Sequence, residues 1–140
     1  MATIAQIEDK IILTLTNLGS FKAVYSVGRD ELPPTLAYPF SSVYFTGMKD
    51  AGVRPRPVHG EIYEVLVGTK NVKSEKDASS DVYALIEAVD TALSGKVLAF
   101  TDIEPLWYIS AEIVSYKDGQ IIYAMQFQTK HNRPVPTPDY

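Results

Sequence analysis

The stretch WYISAEIVSYKDGQIIYAMQFQTK, residues 107–130, decides the fold. Two runs rich in β-branched and aromatic residues flank Asp118-Gly119, a pair that tolerates the positive φ angles of a type I′ turn. Such a turn fixes the register of the two strands it joins. It predicts Lys117 opposite Gln120, then Tyr116, Val114, Glu112, Ser110 and Tyr108 opposite Ile121, Tyr123, Met125, Phe127 and Thr129. The other face carries Ile113, Ala111 and Ile109 beside Ile122, Ala124, Gln126 and Gln128. Neither face is cleanly polar, whereas an antiparallel sheet in a lone monomer usually gives one face to water. Both faces are therefore expected to be covered, one by helices and the other by a neighbouring copy or a long loop.

Outward from the hairpin, two segments have helical periodicity. Ile4, Ile7, Ile11, Leu15 and Leu18 recur at three- and four-residue steps, with Thr3 and Gln6 as a capping box and Gly19 as the left-handed stop. Val82, Leu85, Ile86, Val89 and Leu93 form a second stripe, which Ser79 or Ser80 is expected to cap, with Asp81 in the first turn and Gly95 after the end. Both helices are one-sided and should lie together on one face of a sheet. Strand patterns cover residues 22–27, 40–46 and 61–69, with a further short piece expected at 97–100. The expected fold is α+β: a mostly antiparallel sheet with two amphipathic helices on one face. Residues 1–130 make one domain. Residues 131–140, HNRPVPTPDY, place proline at alternate positions after Arg133 and should be an extended arm.

Composition narrows the function. The 46% hydrophobic and 21% charged shares are those of a globular chain. No apolar run approaches the roughly 20 residues of a membrane helix, so no membrane partner is expected. The charged start, MATIAQIEDK, speaks against an export signal. With no cysteine, disulfides, thiolate catalysis and cysteine zinc sites are excluded, and a cytoplasmic origin fits. A net charge of -4 gives no bulk attraction to nucleic acid. Nine tyrosines against five phenylalanines suit half-wet positions, either ordinary strand positions or interfaces.

Catalytic motifs are absent. No two of the eight glycines are separated by a single residue, which rules out a G-x-G-x-x-G loop, and Gly68-Thr69-Lys70 has the wrong order for a phosphate loop. The two histidines, His59 and His131, cannot supply a zinc site, so no metal and no cofactor are expected. Acid pairs such as Asp102 with Glu104, Glu61 with Glu64, and Asp30 with Glu31 read as ordinary surface neighbours. Glu112 is singled out, because the expected register puts an acid among Tyr108, Tyr116 and Tyr123. It is there either paired at an interface or raised in pKa by burial. Arg54 and Arg56 in one loop, and Lys70 with Lys73 in another, are local basic features on an acidic chain. These eight residues are the candidate partner-contact set.

The layout resembles the tail-terminator proteins of long-tailed phages, particularly those of Mu-like prophages. The resemblance is carried by IEDKIILTL (7–15), YPFSSVYF (38–45), EIYEVLVGTKN (61–71), DVYALIEAVDTALSG (81–95) and QIIYAMQFQTKH (120–131). It spans about residues 4–131 as hydrophobic pattern rather than catalytic letters. It implies a non-enzymatic virion assembly subunit forming a homo-oligomeric ring, a hexamer, on the head-proximal end of the tail tube. The partners it implies are the tail tube protein and a head-completion protein. DNA passes through the lumen without specific binding, and assembly takes place in the host bacterial cytoplasm. The loop at 48–60 and the proline arm have no counterpart in that pattern. Competing expectations are another head–tail or tail-completion subunit, a small hydrolase using Glu112 or Asp102, and a peptide- or nucleic-acid-binding module using the basic loops.

Overall fold

The structure, a computed structural model, describes residues 3–50, 58–71, 75–98, 100 and 103–132. One side of its sheet is the hairpin of β4 (Trp107–Lys117) and β5 (Gln120–Asn132). Asp118 and Gly119 both hold positive φ, 52° and 78°, as a type I′ turn demands. Lys117 pairs with Gln120 and Tyr116 with Ile121, as the turn predicts.

Beyond Ser115 the register departs from expectation. A bulge at Val114 and another at Ile109 each slip the pairing by one, so that Ile113 faces Tyr123, Glu112 faces Ala124 and Tyr108 faces Phe127. A bulge places two residues against one and increases twist, and edge strands accept this most readily. Val114 gains by it, packing against a second-face cluster of Phe40, Leu66 and Ala124. Glu112 pays the consequence: it leaves the tyrosine face for the opposite one. Its expected place among Tyr108, Tyr116 and Tyr123 is therefore corrected.

Among the described residues five strands make the sheet, in the order β1-β2-β3-β5-β4. β1 (Ala23–Tyr25) runs parallel to β2 (Phe40–Asp50), and all other neighbours are antiparallel. β3 (Val58–Lys70) pairs with β5 without interruption from Lys70↔Gln120 to Val58↔Asn132. A third bulge lies in β2 between Phe45 and Gly47.

α1 (Ile4–Leu18) and α2 (Glu75–Leu93) pack on one face of this sheet. Thr3 Oγ1 accepts the Gln6 N–H at 3.1 Å while Gln6 Oε1 accepts the Thr3 N–H at 2.9 Å, and Gly19 turns left-handed at the end of α1. Ile7, Ile11 and Leu15 from α1 and Val82, Val89 and Leu93 from α2 close over Val43, Tyr63, Val65, Val67, Met125 and Phe127. Glu8 on α1 reaches the β2 bulge and accepts the Phe45 N–H at 2.9 Å, a donor close to where the ladder is interrupted.

Two local expectations are corrected. α2 begins at Glu75, so Ser79 and Ser80 are not its cap and Asp81 is not in its first turn. The residues Glu-Lys-Asp-Ala before them suit a helix, and acids favour its positive end. Val97, Leu98 and Phe100 are not in a strand: the Phe100 N–H donates to the Val97 carbonyl at 2.9 Å and Leu98 is left-handed, and Leu98 and Phe100 pack against the core.

Candidate interaction surfaces

The second sheet face is partly covered by the chain between β1 and β2. Leu32, Leu36 and Tyr38 fold over Phe40, Leu66 and Ala124, the long-loop alternative raised by the sequence. The fit depends on Gly68. A Cβ there would stand 2.0 Å from the Phe40 ring, so Gly68 is a packing glycine inside β3 and no part of a phosphate loop. The segment is pinned by polar contacts. Ala37 N–H donates to the Tyr25 hydroxyl at 3.3 Å, and the Tyr38 hydroxyl donates to Gln120 Oε1 at 3.2 Å. Burial raises the Tyr38 pKa.

Arg29 anchors the start of this covering segment. Its Nε and Nη2 donate to the two carboxylate oxygens of Glu64 at 3.2 and 2.9 Å, a bidentate pair, and Nη2 lies 3.7 Å from Glu112. Glu64 is almost wholly buried, with 7% of its side chain exposed, whereas Glu112 is 64% exposed. The hydrogen bond to Glu64 raises the Arg29 pKa, against the opposing effect of burial. Both Glu64 oxygens are occupied by the guanidinium, which suits a structural clamp better than proton transfer. Of the other acid pairs, Glu61 is buried and accepts the Tyr63 hydroxyl at 2.9 Å, Glu104 is exposed, and Asp102 lies outside the described residues. Among the described residues no three His, Asp or Glu side chains are grouped to hold a metal ion.

On the helix-bearing face the cover stops short. α1 packs over β1 and β2 and α2 over β3 and β5, leaving β4 as an uncovered edge. Its Tyr108, Ile113 and Tyr116 are exposed on this face, opposite Phe127, Tyr123 and Ile121 of β5, and the ring of the exposed Tyr83 of α2 meets Tyr123 edge-on at 6.3 Å. Burial and then the hydrogen bond with Tyr83 raise the Tyr123 pKa. Tyr108 likewise meets Phe127 edge-on at 6.3 Å. α1, which packs over β1 and β2 towards the other edge of the sheet, exposes Leu13 and Leu18.

The structure thus brings Tyr108, Tyr116 and Tyr123 onto one face and sets Glu112 on the other. Lys70 is exposed at the hairpin-turn end, where β3 and β5 pair as Lys70↔Gln120. Arg54, Arg56, Lys73 and the segment 133–140 lie outside the described residues. Sequence reading missed Arg29 and Glu64 as a pair, because 35 residues separate them. It missed Tyr83 because it adjoins the buried stripe at Val82, and Ile113 because the bulges reassigned it. Only a one-residue slip pattern in β4 would have signalled the last.

Compared with solved structures, the chain is similar to a chain in the "Virion of native gene transfer agent (GTA) particle", with a TM-score of 0.64 and 18% identity, over 95% of this chain and 100% of that one. At that identity the likeness is one of fold. No family model matches the chain, and no curated protein does.

Proposed function

We propose that the protein is a structural subunit of a phage-like virion, and within it the subunit that closes as a ring on the head-proximal end of the tail tube. It ends tube growth and joins the head, acting through its surfaces without catalysing a reaction. The observation that carries this reading is the fold shared with a virion chain over nearly the whole length. The resemblance of the sequence to tail-terminator proteins is what supports the finer assignment.

The uncovered surfaces fit the same reading. A closed ring repeats one heterologous contact, so each subunit needs two unlike apolar patches. The exposed apolar side chains of β4, Ile113 among them at 55%, and those of α1, Leu13 among them at 48%, are the candidates for such a pair. A stable contact buries about 800 Å² on each partner. The ring is a hexamer whose neighbours are the tail tube protein and a head-completion protein, assembled in the host bacterial cytoplasm. An acidic chain of net charge -4 lets DNA pass through the lumen without binding, while Arg54 and Arg56 contact a protein neighbour.

Light scattering tests the ring. A species of six times the 15.5 kDa chain, seen as an annulus by negative stain, is expected. A monomer at every concentration, also in the presence of tail tubes, would overturn it. Replacing Arg54 and Arg56 together by Glu should abolish head attachment while annuli still form. Unchanged head joining removes those arginines from the interface.

A further inference from the structure

The hairpin-turn end of the sheet carries three lysines in a row. Lys22 donates its backbone N–H to the Pro39 carbonyl at 2.7 Å, just before β1 pairs with β2. Lys70 ends β3 opposite Gln120 of β5, and Lys117 ends β4 opposite the same Gln120. Lys70 and Lys117 therefore stand about 10 Å apart, across one intervening strand. All three lysines are exposed, and none forms an ion pair among the described residues. Of the acids nearby, Asp81 accepts from Asn71 Nδ2 at 3.0 Å, and Asp118 occupies the turn itself.

Beside Lys22 and Lys70 lies a depression of about 420 Å³, lined also by Pro34, Leu36, Tyr38 and Gln120. No acid lines it among the described residues. Its wall is fixed before any ligand arrives, because the Tyr38 hydroxyl donates to Gln120 Oε1 and holds the loop against β5. That bond uses the Gln120 oxygen and leaves the amide N–H groups to donate. Two ammonium groups and an amide donor beside apolar Pro34 and Leu36 suit a carboxylate, which only accepts.

The acids of the same sheet face do not neutralise this end. Asp30, Glu31 and Glu64 line a separate depression, and Glu64 stands six residues before Lys70 on β3. That is about 20 Å at strand spacing, well beyond the roughly 8 Å over which exposed charges are felt at physiological salt. The same separation decides between anions. A DNA duplex carries a charge about every 1.7 Å of its axis, and such a rod laid on the lysines also meets Asp30, Glu31 and Glu112. A short acidic stretch of a protein enters the basic end without reaching them.

We propose that the depression beside Lys22, Lys70 and Gln120 binds Asp or Glu side chains of a partner protein, with Lys117 extending the row to the edge strand. That the anion belongs to a protein rests on the reading of the chain as an assembly subunit with protein neighbours. The site itself does not depend on ring closure. Lys70 and Gln120 share the second sheet face with Leu66 and Ala124, so the site does not compete with Ile113 or Leu13 for an occupant.

The full chain, isotopically labelled, is titrated with a capped hexaglutamate peptide at low salt and followed by its amide shifts. Saturable shifts are expected at Lys22, Tyr38, Lys70 and Gln120, and added salt should reverse them. Lys22→Gln with Lys70→Gln should weaken binding about tenfold. Lys10→Gln with Lys96→Gln removes the same charge elsewhere and should change it less than about twofold. The remaining resonances of each variant report that it is folded. No shifts, or equal weakening by the two pairs, would overturn the site. Tighter binding of a DNA duplex at the same amides would overturn the protein partner. Saturable peptide binding without annuli sinks the ring and leaves the site standing. Annuli without peptide binding do the reverse.

Discussion

Glu64 carries a carboxylate into the second sheet face, and the bidentate contact from Arg29 makes that tolerable. Arg29→Met should therefore cost about 1–3 kcal/mol in urea unfolding, since it strands a buried acceptor. Glu112→Gln should change little, because that carboxylate is mostly solvated. Ser41 presents the opposite case: its hydroxyl is buried without a hydrogen-bond partner. Ser41→Ala is expected to stabilise by roughly 0.5–2 kcal/mol, measured the same way. Tyr38 and Tyr123 contribute to the alkaline limit. Their folded pKa values are raised, so the folded state holds its phenolic protons longer than the unfolded one. Their contribution is complete below about pH 10 and falls as pH rises through the folded values. The Tm should drop above that point, and less steeply in a Tyr123→Phe chain. Glu64, Glu112 and Tyr123 were named from the sequence, but none of these roles was. An ion pair across 35 positions, an orphan hydroxyl and a pKa raised by burial are products of tertiary packing, and a linear pattern contains no trace of them.

At the scale of elements, legibility followed locality. The α1 cap, the α1 stop and the Asp118-Gly119 turn depend on residues within three or four positions of each other, and all stand as read. Gly119→Ala should cost about 1–2 kcal/mol, since a Cβ is disfavoured at φ 78°. A larger loss awaits Gly68→Ala, where the new carbon would meet Phe40 at 2.0 Å and the second-face cover would have to shift. Thermal unfolding of both variants checks the ranking. The bulges of β4 could not be read, because they answer to what Val114 finds on the far face rather than to anything in the hairpin itself. The start of α2 was misjudged for a related reason: Ser79 and Ser80 look like caps, but nothing in them stops a helix that has already begun.

For the whole molecule the question is how two bare flanks are used. A contact between unlike patches behaves differently from one that pairs a patch with itself. Ile113→Asp spoils the β4 flank and Leu13→Glu spoils the α1 flank. Each variant alone should be a monomer by light scattering, and a mixture of the two should give dimers of twice 15.5 kDa and nothing larger. Dimers in either variant alone would instead indicate a self-complementary contact. The candidate surface was half legible: Tyr108, Tyr116 and Tyr123 were, Tyr83 was not, Glu112 was named but put on the wrong face, and Leu13 was hidden among the apolar letters of α1. The strand ends add one thing more. β2 stops at Asp50, β3 starts at Val58 and β5 stops at Asn132, all far from the Asp118-Gly119 turn and from Lys70. The molecule is thus polar along its strands, with β2, β3 and β5 open at one pole and a tight turn closing the other. A cyclic set of such bodies has no operation that exchanges its top for its bottom, so its two rims differ chemically by construction. Two unlike neighbours can be sorted to the correct sides with no added recognition domain.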